Sequence, residues 1–344
     1  MRIRQGTMIC LIFIFILSGC TGQGDGSSVL GQPRQMNRPP VLSETRLLMD
    51  TYCTITIHGD IESVLLDEVF ELCAELEALL SITIEGSDVW RINHAGGEPV
   101  SVDPRTVELI KAGIEFGVLS DGMLDISIGR LSRLWDFGGD KESVPLSPAA
   151  LDSLLQTVDF TKVKIENNTV QLENPDAWID LGAIAKGYIA DKIAEILIAQ
   201  GVSGALIDLG GDVKTVGNRQ NGDPWRIALR KPFGSMEEWI GIVEVSGAAV
   251  VSSGIYERYF EVDGVMYHHI LDPFTGMPAK TDVVSATIIA KDALIGEGLS
   301  TIAVLAGSDR AQWFFEQSDG FISAVLVLDT GELLEFGDIQ FLRT

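Results

Sequence analysis

The stretch from Ala205 to Val262, ALIDLGGDVKTVGNRQNGDPWRIALRKPFGSMEEWIGIVEVSGAAVVSSGIYERYFEV, decides the fold class. Short runs at Ala205 to Leu209, Trp225 to Leu229, Ile240 to Val245, Ala249 to Ser252 and Arg258 to Val262 read as strands bounded by Gly, Pro, Asn and Asp. No helix-length periodic segment separates them, so they look like antiparallel hairpins rather than crossover units.

Working outward, Tyr188 to Gln200 reads as a helix stopped by Gly201, and Val163 to Leu172 as a hairpin turning at Asn167-Asn168. Ser147-Pro148 opens a helix, since Ser caps and Pro suits the first turn. Thr106 to Ser120 is a helix ended by Asp121-Gly122. From Ile61 to Leu80 the spacing of Val64, Leu65, Val69, Leu72, Leu76 and Leu79 gives an amphipathic helix. Arg46 to His58 alternates as one half-buried strand. Beyond the quoted stretch come a strand at Val283 to Ala290, a last helix near Asp292 and a final strand near Ile322. Helices and hairpins mixed without regular alternation point to an α+β fold, not a doubly wound parallel sheet. The length suits one large lobe or two intimately joined ones.

The N-terminus carries Arg2 and Arg4, an apolar run from Met8 to Leu17, then Leu17-Ser18-Gly19-Cys20, the order of a secretion signal. The run is about ten residues, too short to cross a roughly 30 Å hydrocarbon core as a helix. Leu-Ser-Gly-Cys resembles a bacterial lipobox, which implies a signal peptide over 1–19, lipidation of Cys20 and cleavage before it. The expected address is the extracytoplasmic face of a cell membrane. Residues 20–43, rich in Gly, Ser, Gln and Pro, read as a flexible tether, and 44–344 as the folded domain. With Cys10 removed and Cys20 lipidated, Cys53 and Cys73 are left; two buried thiols are favoured over a disulfide. The formal net charge of −24, from 25 basic and 49 acidic residues, repels nucleic acid and anionic headgroups. An anionic ligand must be received locally, by backbone N–H groups, a metal or a few placed cations.

Four segments carry chemistry. Asp180-Leu181-Gly182-Ala183-Ile184-Ala185-Lys186-Gly187-Tyr188 puts small residues and a Lys at a helix start, which suits a phosphate as well as a plain tight connection. Asp208-Leu209-Gly210-Gly211-Asp212 fits a ligand-facing turn or an ordinary hairpin. Tyr267 to Gly276 contains His268-His269; neighbours on a strand face opposite sides, so a general acid or base, or a hydrogen-bond donor to phosphate, fits better than zinc. Glu297 and Thr301, at i and i+4, share a helix face and form either a polar surface or hard-oxygen ligands for magnesium.

In this order the four segments resemble the ApbE family of FAD:protein FMN transferases, from about Met49 to the C-terminal strand. The resemblance includes Met49-Asp50-Thr51, Ser87 to Asn93, Asp121 to Asp125, Leu134 to Gly138 and Ser253 to Phe260. It implies an α+β duplicated T-fold with antiparallel sheets and packed helices. It implies magnesium on the Ala183 carbonyl, Glu297 and Thr301, and FAD as substrate against Met49, Met123, Leu124, Asp125, Asp180, Lys186 and Leu271. His269 would be the histidine near the reacting phosphate. The implied reaction attaches FMN to a Thr or Ser of an acceptor flavoprotein and releases AMP; the acceptor would be a membrane or secreted electron-transfer protein.

The chain departs from the family where Glu297 replaces Asp, where Thr83 stands near a Tyr of many members, and where Ser300 replaces a carboxylate found in some. No acceptor motif of the Asp-Gly-X-Ser/Thr-Gly type is read here, so self-flavinylation is not expected. The alternatives are an FAD pyrophosphatase giving FMN and AMP, and a non-catalytic flavin-binding lipoprotein.

Overall fold

Two strands, β1 (Val41–Leu48) and β2 (Thr51–His58), form a hairpin where Arg46 to His58 reads as a single strand. The reason is Met49 and Asp50, which both take positive φ, 53° and 55°, as a two-residue hairpin turn requires. Neither is the Gly or Asn that announces such a turn. Glu77 supports it by accepting the Met49 N–H at 2.9 Å. β1 starts at Val41, ahead of the expected domain boundary at 44.

The computed structural model describes residues 40–137, 148–235, 237–338 and 340–343; the expected signal peptide, Cys20 and most of the tether lie outside them. After β2 come α1 (Val64–Leu80), α2 (Asp88–Asn93), β3 (Val100–Ser101), α3 (Pro104–Leu119) and α4 (Gly129–Trp135). The short helices α2 and α4 give no periodic signal in sequence. α5 (Pro148–Leu155) begins as expected, its proposed Ser147 cap lying outside the described residues. The hairpin of β4 (Val163–Glu166) and β5 (Thr169–Leu172) turns at Asn167, φ 54°. Then follow α6 (Ala185–Ala199), β6 (Gly204–Leu209), β7 (Asp212–Gly217), β8 (Trp225–Arg230), β9 (Trp239–Val245) and β10 (Ala249–Gly254). Next are β11 (Tyr259–Val262), β12 (Val265–His268), β13 (Val283–Ala290), α7 (Ala293–Ala306) and α8 (Ser308–Glu316). The chain closes with β14 (Phe321–Leu328), β15 (Leu333–Gly337) and β16 (Phe341–Arg343). So the helix near Asp292 is not the last, nor is the strand near Ile322.

An antiparallel eight-stranded sheet in the order β1-β2-β6-β7-β10-β13-β14-β15 is the frame, as the α+β reading expects. Alternate residues face opposite sides of a strand. Ala205, Ile207, Ile288 and Leu326 join the helices in the main core, while Leu206, Ile289 and Val325 pack on Trp225, Ile227 and Val243 of the β8, β9 and β16 layer. Burial on both faces explains the near-continuous apolar runs of β6 and β13. Cys53 and Cys73 are both buried free thiols. Among the described residues no helix is long and apolar enough to cross a membrane.

Candidate functional site

The loop entering α6 is held from both sides. Asn93 at the end of α2 accepts the Ile179 N–H on Oδ1 at 2.7 Å and donates Nδ2 to the Ile179 carbonyl at 2.8 Å. Asp180 donates its N–H to the Ile126 carbonyl at 2.7 Å, and its Oδ1 accepts the Gly182 N–H at 2.9 Å. The Ser87 to Asn93 motif exists to place this clamp: the Ser87 hydroxyl accepts the Trp90 N–H, and the buried Asp88 accepts from Asp103 N and the Thr106 hydroxyl, each at 2.7 Å. Neither Asn93 nor Ser87 stood out as a site residue in sequence.

Gly187, in the first turn of α6, donates its N–H to Glu297 Oε2 at 2.7 Å rather than to the Ala183 carbonyl four residues back. Among the described residues that carbonyl accepts no hydrogen bond. Lys186 Nζ pairs with Glu297 Oε1 and, at 2.9 Å, with Asp212 Oδ2. Burial works to strip Lys186 of its proton, but the Asp212 and Glu297 charges outweigh it and the ammonium is stabilised. Burial pushes Glu297 up to about 7, with the Lys186 charge opposing. One turn along α7, Thr301 Oγ1 lies 3.3 Å from the Ser253 hydroxyl, which also meets Ser300 Oγ at 2.7 Å. Ser253 lies in the Ser253 to Phe260 motif, but nothing in its sequence context marks it as a site residue.

Three of the four segments therefore converge on the start of α6: Lys186 from the first, Asp212 from the second and Glu297 from the fourth. The Asp208 to Asp212 loop also touches the Met49 to Thr51 turn, for a Cβ at Gly210 would stand 2.5 Å from Thr51 Oγ1. Buried Asp208 accepts the Gly211 N–H, and desolvation pushes it up to about 7. Glu257, half-buried, is likewise pushed up to about 7 by burial and then by the Asp212 charge, with Lys186 opposing.

The third segment contributes His269. Its Nδ1 lies 3.3 Å from the Arg258 carbonyl, which fits Nδ1–H as donor and, among the described residues, leaves Nε2 without a hydrogen bond. Burial first, then the Arg258 charge, hold the ring well below the usual range, at about 3, so it is neutral at neutral pH. His268 points the other way, buried, with Nε2 at 3.0 Å from the Ala279 carbonyl.

Met123, Leu124, Asp125 and Leu271 are buried. Asp125 spends Oδ1 on Ser127 N and Oγ and Oδ2 on Phe160 N, pinning the loop after α3. Leu271 packs with Leu131 and Trp135, whose Nε1 donates to the Gly276 carbonyl at 2.8 Å. A cleft of about 250 Å³ joins these segments, lined by Gly122, Asp125, Phe160, Pro273 and Phe274 among others. Thr83 is exposed and bonded to Ser81, with no ring to offer.

Among the described residues no group of three or more His, Cys, Asp or Glu side chains could hold a metal. The expected set needs only one carboxylate, and its donors fit a hard cation: a carbonyl freed by the diversion of the Gly187 N–H, a buried carboxylate and a helix hydroxyl. The ammonium already seated between Glu297 and Asp212 marks the place as one that favours positive charge.

The ApbE family profile matches residues 49–326. The chain is 36% identical to an FAD:protein FMN transferase of Klebsiella pneumoniae, over 86% of this chain and 91% of that protein. It is 35% identical to the FAD:protein FMN transferase of Treponema pallidum, over 78% and 80%. The ApbE protein from Thermotoga maritima superposes with a TM-score of 0.80 at 33% identity, over 87% of this chain and 97% of that one. The flavin transferase ApbE from Vibrio cholerae superposes with a TM-score of 0.77 at 29% identity, over 86% and 96%.

Proposed function

The chain belongs to the ApbE family, and we propose that it is an FAD:protein FMN transferase that attaches FMN to an acceptor flavoprotein through a phosphoester. The observation that supports this most is the junction of Lys186, Asp212 and Glu297 beside the Ala183 carbonyl at the start of α6. A helix start with a cation and hard oxygens receives a pyrophosphate in an otherwise acidic protein.

In this reading Met49, Met123, Leu124, Asp125, Asp180, Lys186 and Leu271 bind FAD. An acceptor Thr or Ser oxygen attacks the FMN phosphorus; that P–O bond forms, the bond to the AMP phosphate oxygen breaks, and AMP leaves with its electron pair. The hydroxyl proton goes to His269 Nε2. A ring held near 3 by burial is a weak base, but neighbouring phosphate charge raises its basicity. General-base help of this kind contributes about 10²–10⁴-fold. Lys186 sets positive charge against the pyrophosphate. The Ala183 carbonyl, Glu297 and Thr301 would hold magnesium, which when bound would neutralise charge developing on the phosphate oxygens.

Lipid on Cys20 would anchor the enzyme at the extracytoplasmic membrane face, where a membrane or secreted electron-transfer flavoprotein is the acceptor class. The test incubates the mature domain with FAD, magnesium and a candidate acceptor domain, reading acceptor mass and AMP. An FMN-sized mass gain with equal AMP is expected. AMP with free FMN and no mass gain would instead indicate a pyrophosphatase, and FAD binding without AMP a binding protein.

A further inference from the structure

We infer that Asp191 is a positioning residue for the proposed metal site, holding α7 in axial register with α6 so that the carbonyl just before α6 and the oxygens of α7 meet one cation. The inference rests on the metal reading above. Asp191 lies one turn beyond Gly187 on α6, with its side chain 15% exposed. Its Oδ1 accepts the Ala293 N–H and its Oδ2 the Leu294 N–H, each at 2.9 Å. Those are orphan donors of the first turn of α7, which a local N-cap side chain normally satisfies. Asp292, the N-cap residue, makes no such bond, so the cap comes from another helix.

Lys214 of β7, 9% exposed, closes the arrangement: its Nζ donates to the Lys291 carbonyl and pairs with Asp191 Oδ1 at 3.3 Å and Asp292 Oδ1 at 3.7 Å. The backbone entering α7 is thereby tied to the side of α6. The expected ligands divide between these helices, Ala183 just before α6 and Glu297 and Thr301 along α7. A helix advances about 1.5 Å per residue, whereas magnesium needs near-octahedral oxygens at about 2.0–2.1 Å. A slip of a fraction of one residue would part the ligands. Asp191 spends both oxygens on Ala293 N, Leu294 N and Lys214 and is not one of the proposed ligands; it acts by fixing that register.

The test measures Mg²⁺ affinity by calorimetry on purified D191N, K214Q and E297Q, with FAD affinity in chelator and unfolding temperature beside it. D191N keeps the shape of the side chain but gives an N–H₂ group to one of the two amides. We expect folded D191N to bind Mg²⁺ at least tenfold more weakly, to bind FAD without metal within twofold of wild type, and to regain AMP release at raised Mg²⁺. A purely structural role would lower the unfolding temperature and leave Mg²⁺ affinity unchanged, which would overturn the inference. Should D191N not fold, K214Q, which keeps a donor for the Lys291 carbonyl, decides in its place, with several-fold weaker Mg²⁺ binding expected and wild-type affinity overturning it. E297Q separates the two levels: wild-type Mg²⁺ affinity there removes the metal reading itself, whereas loss in E297Q with none in D191N removes only the role of Asp191.

Discussion

Gly187 donates its N–H to Glu297 Oε2 over 2.7 Å, and its bare Cα lets the start of α7 pass directly over it. A Cβ at this position would stand 2.5 Å from the Ala293 carbonyl oxygen and 2.6 Å from its carbon, backbone atoms that cannot rotate away. Gly187→Ala should therefore push α6 and α7 apart, costing about 1–3 kcal/mol as overpacking does. FMN transfer should fall at least tenfold, because Glu297 and the Ala183 carbonyl separate together. Urea unfolding and the transfer assay check this; unchanged values in both would mean the helix pair has slack.

Asn93 offers a second lever. It satisfies both the N–H and the carbonyl of Ile179, a fully buried residue immediately before Asp180. Asn93→Leu keeps approximate volume but strands two buried backbone groups, each costing about 1–3 kcal/mol. The expected outcome is a stability loss of about 2 kcal/mol or more, with a raised KM for FAD and a smaller change in kcat. Equal KM in a measurably destabilised variant would limit Asn93 to the fold.

Asn93 also shows where sequence reading stops. The antiparallel α+β frame is legible from Ala205 to Val262 except for β7, which reads as the end of a glycine loop; α1 is legible from its apolar spacing, because burial on one face leaves a periodic mark, and α3 and α6 from the turn residues that stop them. The turn at Met49-Asp50 left none, since a neighbouring Glu77 stabilises a conformation its own residues do not favour. Lys186, Glu297 and Thr301 were legible as chemistry. Asp212 is legible only as part of a loop, and Ser253 and Asp191 act through partners far along the chain. Hydrogen bonds between distant residues impose no spacing that a single sequence displays.

Two histidines should each cost stability on mild acidification, against the gain from Asp208, Glu257 and Glu297, whose carboxyls, pushed up to about 7, take up protons first in the folded state. His268 is buried with Nε2 against the Ala279 carbonyl and, among the described residues, no hydrogen-bond partner for Nδ1, and burial lowers its pKa from the ordinary 6.5. Burial, and then Arg219, lower His58 similarly. A folded-state pKa below the unfolded one means the unfolded chain binds the extra proton first. The stabilisation is thus complete above about pH 6.5 and is lost as pH falls from there toward the folded value. His268→Gln keeps an N–H donor for Ala279 and cannot titrate. Between pH 7 and pH 5 the unfolding temperature of the variant should shift upward relative to that of wild type; identical pH profiles would remove His268 from the acid response.

Glu297 stands where the family resemblance expects the shorter Asp, and the extra methylene is what lets one carboxylate reach Gly187 N while facing Lys186. Glu297→Asp should withdraw the carboxylate from Gly187 and cost about 0.5–1.5 kcal/mol, the value of one hydrogen bond. A carboxylate would still be present for the cation, so Mg²⁺ binding and transfer should survive within about tenfold, roughly 1.4 kcal/mol. Glu297→Ala should abolish both, as should chelation of the wild type, because only the Ala183 carbonyl and Thr301 would be left of the proposed ligands. Calorimetric Mg²⁺ titration beside AMP release distinguishes these outcomes. If E297A retained Mg²⁺ affinity, the cation would have to sit elsewhere, and the Lys186–Glu297 pair would then serve only to hold α6 against α7.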